Sequence, residues 1–582
     1  MKRTNAVWST DLERVTSIVL RYMRTPILLL IVISAVTILG MVVMPGQTVN
    51  GEPTHMSFFH ALYFLTYTAT TTGFGEIPIE FSDAQRLWAM FSLFISVVAW
   101  VYALGSIFKL IQNPFFQRAL AQRRFSLDVS RIKGSFYVLC GFGDTGSLLT
   151  RGLSDAGYTV TVIDNDPVRI EALSLRDYPV TMPGLCADAG VPGRLIAAGL
   201  EMPNCHGVVA VTGDEGINRK IAVMAHLINP KVRTVCRSTS PVEEEFLASL
   251  GTVTVVDPFD TFSNQLSLAL HRPSVHTLGQ WLVGARGVAL DEPLRPPIGI
   301  WIVCGFGRMG RSLHLSMKAC GVPTKVIDPR MQGESTTEGY VVGHANARTL
   351  REAGVERAVG IVAATNSDSN NLGILLTARA LNPRLFLLAR QNRHDDEVAF
   401  QSIGADLVMQ PSLVTARRVL FLLVSPMIHA FLEFLQEARV SLVVDTLRRL
   451  NEAVGEERPE LWTETISAEL GQARKALKEK GFELILGDLL RDARDREQSI
   501  ACVPLILKRW KQTSFLPKNS EVLQQGDQIL FCGTVRARHQ LTVALNDPYI
   551  REYLITGKEE ARGLLAKWLL ESWRRRQRMA VS

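Results

Sequence analysis

The sequence predicts a membrane pore domain made of α-helices, followed by two α/β domains, the second of which carries a C-terminal α+β lobe. Two observations predict this architecture. Long uncharged apolar runs occur only before residue 112 of the 582-residue chain, and a strand followed by a glycine-rich loop occurs twice in the remainder. The length suits roughly three to five domains. We therefore expect a small membrane part joined to a large soluble part.

Two segments are long and apolar enough to cross a bilayer. Residues 26–44 contain no charge, and residues 87–111 contain only Lys109. At ~1.5 Å per helical residue, each can span the ~30 Å hydrocarbon core. A secretory signal peptide is the alternative for the first run, but polar residues precede it and no small-residue cleavage site follows it. We expect a pore domain at residues 26–112.

Basic residues orient the two spans. Lysines and arginines flank both spans on their outer sides in the sequence, whereas Arg86 is the only one between them. Both termini should therefore be cytoplasmic in a multi-pass protein of the inner (plasma) membrane. Residues 1–25 are predicted to form an interfacial helix, with a plain solvated helix as the alternative. The net charge of +7 is explained by this membrane contact, so we predict no nucleic-acid partner.

The loop between the spans holds a short apolar segment, residues 57–69, which is too short to cross the membrane and suits a re-entrant helix. Non-helical backbone at membrane depth is tolerated where protein buries it or where it lines a water-filled path. The threonine- and glycine-rich residues 70–76 follow directly. They are therefore a candidate pore lining.

This segment resembles the selectivity filter of potassium channels, usually written T-V-G-Y-G-D. Glycines permit the backbone angles that turn successive carbonyls towards a dehydrated ion. The resemblance implies K+ as the permeant ion, coordinated mainly by backbone carbonyls, and a homotetramer, since one strand cannot encircle an ion. The filter residues are Thr71, Thr72, Gly73, Phe74 and Gly75.

The filter sequence departs from the usual pattern at three positions: Thr72 replaces Val, Phe74 replaces Tyr, and Glu76 replaces Asp. Thr72 matters most, because it places a hydroxyl behind the filter where an apolar side chain usually packs. How strictly K+ is selected therefore stays open, as does the alternative of an inconsequential outer turn. On the second span, Gly105 is a candidate gating hinge, or alternatively a site of close helix packing.

The soluble part is duplicated. YVLCGFGDTG at residues 137–146 is matched by WIVCGFGRMG at 301–310, and TVIDND at 161–166 by KVIDPR at 325–330. Later pairs, including Arg237 with Arg390, keep the same order. The sequence therefore contains two copies of one domain.

Each copy has the nucleotide-binding pattern of a Rossmann fold: strand, G-x-G-x-x-G, helix, then an acidic residue ending the next strand. The glycines allow a pyrophosphate to approach the helix N-terminus, and the carboxylate accepts ribose hydroxyls. In the first copy the candidate residues are Gly141, Phe142, Gly143, Asp144, Thr145, Gly146, Asp164, Asn165 and Asp188. In the second they are Gly305, Gly307, Arg308, Met309, Gly310, Asp328 and Arg330.

We expect NAD(H) or an adenine nucleotide in the first copy, because Asp164 and Asp166 would repel the 2′-phosphate of NADP. Arg308 and Arg330 leave the anion preference of the second copy open. The glycines could also serve helix–strand packing alone. Acidic clusters at residues 243–245 and 395–397 suggest Ca2+ as a further ligand, although their spacing is not that of a loop site and metal ligands stay unassigned.

Residues 135–545 resemble the regulator-of-potassium-conductance (RCK) domains, which are related to the Trk and Ktr regulatory subunits. The adenine-side G-D-A element appears as Ala187-Asp188-Ala189, and as Gly343-His344-Ala345 in the second copy. We expect a linker at 113–134, a first RCK domain at 135–290, a second at 299–440, a C-terminal lobe at 441–550, and a helix with a basic tail at 551–582. Residues 420–435 are apolar but too short and polar for a third span, and suit paired helices at a subunit interface.

Together these features predict a potassium channel whose tetrameric pore is opened and closed by a cytoplasmic ring of nucleotide-binding domains. No catalytic arrangement accompanies the fingerprints, so an enzyme is not expected. Two alternatives stay open: a membrane-anchored NAD-dependent oxidoreductase, and a subunit of a regulated cation transporter.

Overall fold

The fold is described from a computed structural model. It covers residues 2–49, 52–70, 72–73, 75, 80–283, 296–331, 339–455, 459–470, 482–510 and 512–558. The chain divides into two compact units. The first holds Met1–Gly146, Gly157–Cys236 and Phe246–Thr254, and the second holds Ser147–Ala156, Arg237–Glu245 and Val255–Ser582.

The first unit begins with four helices and a hairpin. They are α1 (Lys2–Val43), β1 (Pro45–Val49), β2 (Glu52–His55), α2 (Phe58–Ala69), α3 (Asp83–Ile111) and α4 (Pro114–Ser130). Side-chain caps fix three of the helix starts. Ser57 caps α2, Ser82 forms a capping box with Gln85 at the start of α3, and Asn113 caps α4 directly before a proline.

Helices α1 and α3 contain segments long and apolar enough to cross a membrane, Thr16–Val43 and Asp83–Ile111. The two helices pack closely where Gly40 faces Trp88, since a Cβ atom on Gly40 would lie 2.0 Å from the indole ring. The indole Nε1 donates to the carbonyl of Thr37 at 3.2 Å. Glycine thus allows the large ring to lie against the first span.

The structure differs from the predicted separate N-terminal helix. Helix α1 runs without a break from Lys2 to Val43, with Pro26 inside it. The polar N-terminal segment is therefore a helical extension of the first span. At the other end of the pore domain, the Asn113 Nδ2 atom donates to the Tyr22 hydroxyl at 2.7 Å, so that the start of α4 is tied to α1.

The first α/β copy has a six-stranded sheet in the order β5-β4-β3-β6-β7-β8. Its strands are β3 (Phe136–Cys140), β4 (Thr159–Asp164), β5 (Gly184–Cys186), β6 (Cys205–Ala210), β7 (Arg233–Arg237) and β8 (Val253–Val256). Its helices are α5 (Asp144–Asp155), α6 (Pro167–Leu175), α7 (Pro192–Ala197), α8 (Glu215–Ile228), α9 (Pro241–Ala248), α10 (Pro258–His271) and α11 (Pro273–Val283). The pairs β3–β4, β3–β6, β4–β5 and β6–β7 are parallel.

The second copy repeats this topology in the order β11-β10-β9-β12-β13-β14. Its strands are β9 (Trp301–Cys304), β10 (Thr324–Asp328), β11 (Tyr340–Val342), β12 (Gly360–Ala363), β13 (Phe386–Arg390) and β14 (Leu407–Met409). Its helices are α12 (Arg308–Ala319), α13 (Ala347–Glu352), α14 (Asp368–Leu381), α15 (Glu397–Ser402), α16 (Pro411–Val424) and α17 (Pro426–Glu437). Both copies have the Rossmann-like order, with the glycine loop after the first strand.

Helix α10 lies near the end of the first copy in sequence but packs into the core of the second. Its Phe259, Phe262 and Leu266 belong to the same buried cluster as Trp301 and Met309. Helices α16 and α17 are bent by 110° at their junction. Ile428, Phe431 and Leu435 of α17 are buried with Val275 and Leu278 of α11, so core packing accounts for the apolar run at residues 420–435.

The C-terminal lobe combines helices with an antiparallel four-stranded sheet in the order β15-β18-β16-β17. Its elements are α18 (Val440–Val454), β15 (Glu460–Thr465), α19 (Leu486–Leu489), β16 (Cys502–Arg509), β17 (Gln512–Phe515), β18 (Gln528–Gly533), α20 (Val535–Asn546) and α21 (Pro548–Thr556). Gly526 has a φ of 86°, and buried Asp527 accepts two hydrogen bonds from Arg509. A Gly-Asp turn therefore leads directly into the largely buried strand β18.

Candidate functional site

The end of the short helix α2 organises the predicted filter. The amides of Thr72 and Gly73 donate to the carbonyl of Tyr67 at 2.9 and 3.3 Å. Gly73 and Gly75 have φ angles of 64° and 86°, in the left-handed region that favours glycine. Both glycines of the predicted filter therefore turn the backbone, as the filter resemblance leads us to expect. Thr71, Phe74 and Glu76 lie outside the described residues.

The Thr72 hydroxyl is held by the end of α2. Its Oγ1 lies 2.9 Å from the Thr70 Oγ1, which in turn lies 2.8 Å from the carbonyl of Thr66. Because the Thr70 hydroxyl has one proton and the Thr66 carbonyl can only accept, this arrangement makes Thr72 the donor to Thr70. The polar group that distinguishes this filter from its usual sequence thus has a local partner.

A tyrosine on α2 supports the outer end of the same segment. The Tyr67 hydroxyl donates to the carbonyl of Gly75 at 2.7 Å. The ring is buried and meets Phe64 and Tyr63 edge-on at centroid distances of 5.6 and 5.3 Å. The sequence reasoning missed this residue, although a tyrosine inside a short and largely apolar helix was a signal that its hydroxyl needs a partner.

Gly105 lies inside α3, and the helix passes through it without interruption. A Cβ atom at this position would meet no atom within 4 Å among the described residues, apart from the neighbouring helix backbone. Close packing within one chain therefore does not explain the glycine.

The first nucleotide fingerprint has the geometry of a tight loop at the carboxyl end of β3. Gly141 has a φ of 102°, and a Cβ atom on Gly146 would lie 2.0 Å from the Gly141 carbonyl oxygen. The Asp164 carboxylate accepts hydrogen bonds from the backbone amides of Phe142 (2.5 Å) and Asp166 (2.8 Å). Asp164 therefore fixes the loop while lying at the end of the adjacent strand.

An arginine that the sequence reasoning missed also lies at the first loop. Arg169 on α6 approaches Asp164 and Asp166 at 3.6 and 3.4 Å, and its guanidinium lies near the position of a Cβ on Gly143. The sequence offered little reason to select Arg169, because a single basic residue in a surface helix forms no recognisable motif.

The remaining candidates of the first copy have local roles. Asp144 begins α5, and the Thr145 side chain is buried. The carbonyl of Asn165 accepts a contact from Cys186 Sγ at 3.7 Å, and the Asp188 carboxylate accepts from the amide of Gly190 at 2.8 Å.

The second fingerprint repeats the first closely. Gly305 has a φ of 96°, and a Cβ atom on Gly310 would lie 1.9 Å from the Gly305 carbonyl oxygen. Asp328 accepts from the amides of Phe306 (2.7 Å) and Arg330 (2.8 Å), with Arg330 Nε at 3.5 Å. Burial alone would raise the pKa of Asp328, but these hydrogen bonds and the Arg330 charge outweigh it and hold the pKa below its usual range.

The second copy differs from the first in its side chains. Arg308 starts α12 directly after Gly307 and is exposed, whereas Asp144 has this place in the first copy. The Met309 side chain is fully buried in the domain core, which leaves only its backbone to meet a ligand. The second loop therefore has a cation, Arg308, as the first residue of its helix, whereas in the first loop the nearby cation is Arg169 of α6.

No group of three or more metal-ligating side chains is found among the residues that the structure describes. Each acidic cluster has at least one local partner. In the cluster at 395–397, Asp395 lies 3.3 Å from Arg393 and Glu397 lies 3.4 Å from His394, and in the cluster at 243–245 Glu243 accepts from the Ser238 hydroxyl at 3.3 Å.

Comparison with known proteins separates the chain into the same parts. The sequence profile of the TrkA-N domain matches residues 137–258 and again residues 301–411, and that of the ion channel domain matches residues 26–113. The chain therefore joins one ion-channel domain to two TrkA-N domains, and the tandem Rossmann-like fold predicted for its soluble part is confirmed.

Several relatives are channel proteins. Potassium channel protein 1 of Methanocaldococcus jannaschii is 26% identical over 241 residues, which are 40% of this chain and 63% of the relative. Probable potassium channel protein 2 of the same organism is 27% identical over 40% of this chain and 63% of the relative. The matches thus span just under two thirds of the length of these relatives. Among solved structures, "GsuK channel bound to NAD" is 16% identical with a TM-score of 0.43, covering 91% of this chain and 99% of that one.

Proposed function

We propose that the protein is a potassium channel whose pore is opened and closed by nucleotides bound to its two TrkA-N domains. One observation carries the proposal. A helix too short to cross a membrane ends in a segment where Gly73 and Gly75 turn the backbone and Tyr67 holds a carbonyl, between two membrane-length helices. Such a segment suits an ion path better than an enzyme site.

Potassium would be bound in the filter by backbone carbonyls of Thr71, Thr72, Gly73 and Phe74. The Thr72 hydroxyl, which donates to Thr70, is engaged with the re-entrant helix and is not needed for coordination. The names of the two Methanocaldococcus relatives, both potassium channel proteins, support the same ion. Since one such segment cannot surround an ion, the working unit would be a homotetramer in the plasma membrane with both termini in the cytoplasm.

Nucleotide control would act through the two fingerprints. Each loop leaves backbone amides beside a helix N-terminus and an acidic side chain at the end of the next strand, which suits NAD(H) or an adenine nucleotide. A nucleotide that binds one conformation of these domains more tightly shifts the pore equilibrium by that differential affinity. The Asn113–Tyr22 hydrogen bond ties the start of α4 to helix α1. A movement of α4 that follows nucleotide binding would therefore act on the first span.

Reconstituted protein tests the proposal. The full chain is inserted into planar bilayers under K+ and Na+ gradients, and currents are recorded with no nucleotide, with NAD, with NADH and with ADP. We expect K+-selective currents whose open probability changes with at least one nucleotide and responds less in Asp164→Asn or Asp328→Asn. Asp155→Asn, on the exposed end of α5, is the matched control. Absence of cation current under all of these conditions, with protein verified in the membrane, would refute the channel assignment.

A further inference from the structure

The repeat places a histidine in the first turn of two helices that share one core. His276 of α11 recurs as His429 of α17. In the second copy two charged residues accompany the histidine, Arg418 of α16 and Glu433 of α17. The corresponding residues of the first copy are the uncharged Gln265 and Gln280. The charged surroundings of His429 are therefore a feature of the second copy.

His429 lies between the two charges and is bonded to both. Its Nε2 atom lies 3.0 Å from the Glu433 carboxylate, and its Nδ1 atom lies 3.1 Å from Nη1 of Arg418. A guanidinium can only donate a hydrogen bond and a carboxylate can only accept one. The neutral imidazole therefore carries its proton on Nε2, from which it donates to Glu433, and accepts from Arg418 at Nδ1. Both ring nitrogens are satisfied in this form.

The surroundings of His429 oppose a second proton. Its side chain is 18% exposed, and the Phe421 ring meets it edge-on at 5.8 Å. Burial, followed by the charge of Arg418, lowers the pKa of His429 against the opposing effect of Glu433. The neutral form therefore stabilises this contact above the ordinary pKa of 6.5, and the stabilisation is lost as the pH falls.

No other charge in the described part of the chain acts on His429. Four elements share its core or contact its helix, namely α11, α16, α18 and β16. The remaining titratable groups on these elements and on α17 are Glu437, Arg417, His276, Asp445, Arg448, Arg449, Glu452, Cys502, Lys508 and Arg509. Arg448 pairs with Asp445 and Glu452, and Arg509 pairs with Asp527.

The Arg418–His429 hydrogen bond crosses the junction at which α16 and α17 are bent by 110°. His429 follows the bend directly, and its backbone amide donates to the carbonyl of Ser425 at 3.3 Å. On the other side of α17, Ile428 and Phe431 are buried with α11. The side-chain contact between α16 and α17 at the bend thus depends on the protonation state of one imidazole.

We propose that protonation of His429 opens the contact between α16 and α17, which makes the bend a proton-sensitive element of the second copy. The added proton lies on Nδ1 and points at the N–H groups of Arg418, so that a hydrogen bond is lost and two cations face each other. Glu433 holds the imidazolium on α17, and Arg418 must therefore move away with α16. This inference does not require that the protein is a channel.

Hydrogen–deuterium exchange of the full chain in detergent, read by mass spectrometry, tests the proposal. Exchange is compared at about pH 7.5 and about pH 5, on either side of the ordinary histidine pKa, after correction for the pH dependence of chemical exchange. We expect the amides of residues 411–437 to exchange about three- to tenfold faster at the lower pH, since one hydrogen bond is lost. Residues 535–546 of α20 are the internal reference.

Two variants separate this mechanism from general acid destabilisation. In His429→Gln the amide can accept from Arg418 and donate to Glu433 without titrating, so we expect no faster exchange at low pH. Arg418→Gln keeps the histidine but removes the opposing cation, and its carbonyl can accept from the protonated Nδ1, so the acid response should also disappear. His539→Gln replaces an exposed histidine of α20 and should respond as the wild type does.

Circular dichroism at neutral pH checks that each variant is folded, and Arg418→Gln decides the question if His429→Gln does not fold. An acid response that persists in either of these variants, or that the wild type lacks, would overturn the proposal. Bilayer currents recorded at the two pH values show separately whether the channel assignment fails, because the exchange measurement needs no current.

Discussion

The Tyr67 hydroxyl donates a 2.7 Å hydrogen bond to the carbonyl of Gly75, so a buried side chain of the short helix α2 fixes the backbone of the segment that follows it. We expect Tyr67→Phe to keep the ring packing but release this carbonyl. Since one buried hydrogen bond contributes ~1 kcal/mol, the conducting state should become several-fold less populated, with weaker discrimination between K+ and Na+. Single-channel recording checks this. Tyr63→Phe removes a hydroxyl from the same helix and should conduct normally; equal effects of both variants would contradict the role of Tyr67.

Thr72 stands where the usual filter pattern has valine, and the sequence leaves the effect of this difference on K+ selectivity open. Because its hydroxyl is engaged with Thr70, Thr72→Val should change the K+ to Na+ permeability ratio by no more than about twofold, since its carbonyl is retained. Reversal potentials under mixed ionic conditions measure the ratio. Thr66→Val is the control for loss of a threonine near the predicted filter, because the Thr66 hydroxyl donates within α2, to the carbonyl of Leu62. A large rise or fall in Thr72→Val alone would show that the hydroxyl takes part in ion selection.

Gly40 and Gly105 should respond differently to alanine. At Gly40 the new Cβ would lie 2.0 Å from Trp88, and we expect a loss of about 1–3 kcal/mol in stability because the helices must separate. At Gly105 nothing described obstructs the Cβ, so alanine should be neutral or stabilise the helix by up to ~1 kcal/mol. Thermal unfolding in detergent compares the two. If stable Gly105→Ala channels open less often, the glycine acts as a hinge; unchanged opening would exclude that role.

Asp257 should make stability depend on pH. Burial, with a smaller contribution from Asp260, raises its pKa to about 6, although hydrogen bonds from Phe259 and Asp260 and the charge of Arg308 act the other way. The unfolded value is ~3.9. The folded state thus holds its proton more tightly. Proton binding to Asp257 therefore adds to the free energy of unfolding. This addition is fully present below the unfolded pKa and is lost as the pH rises through the folded pKa of about 6.

Asp257→Asn keeps a good helix cap without a titrating charge. We therefore expect it to flatten the fall of the thermal midpoint between about pH 4 and 6 and to leave stability at pH 7 equal or higher. Asp547→Asn replaces the cap of α21, which also accepts two backbone amides, and is the control. A midpoint at pH 7 well below the wild type in Asp257→Asn would show that its charge is stabilising.

The kinds of domain in this protein and their order follow from local patterns along the chain. Uncharged runs identified both spans, because hydrocarbon excludes charge over a fixed thickness. The repeated glycine loops identified two Rossmann-like domains, because the loop and the acidic residue at the end of the next strand lie close together in the sequence. In both copies this carboxylate accepts a hydrogen bond from the amide of the residue after the first glycine, as Asp164 does from Phe142. The uncharged runs and the glycine loops are each formed by residues that lie close together in the sequence.

Which side chains meet across long stretches of sequence becomes visible in the folded chain alone. Helix α10 lies near the end of the first copy in sequence, yet it buries Phe259 in the second copy, where the ring stacks with Arg308 and Arg390. The continuity of α1 through Pro26 likewise overrode the change in polarity that suggested a separate N-terminal helix. For Phe259 the deciding energy comes from packing between elements, which no local pattern of residues records. Tyr67 shows the same dependence on a smaller scale, since its role is visible only where its hydroxyl reaches Gly75.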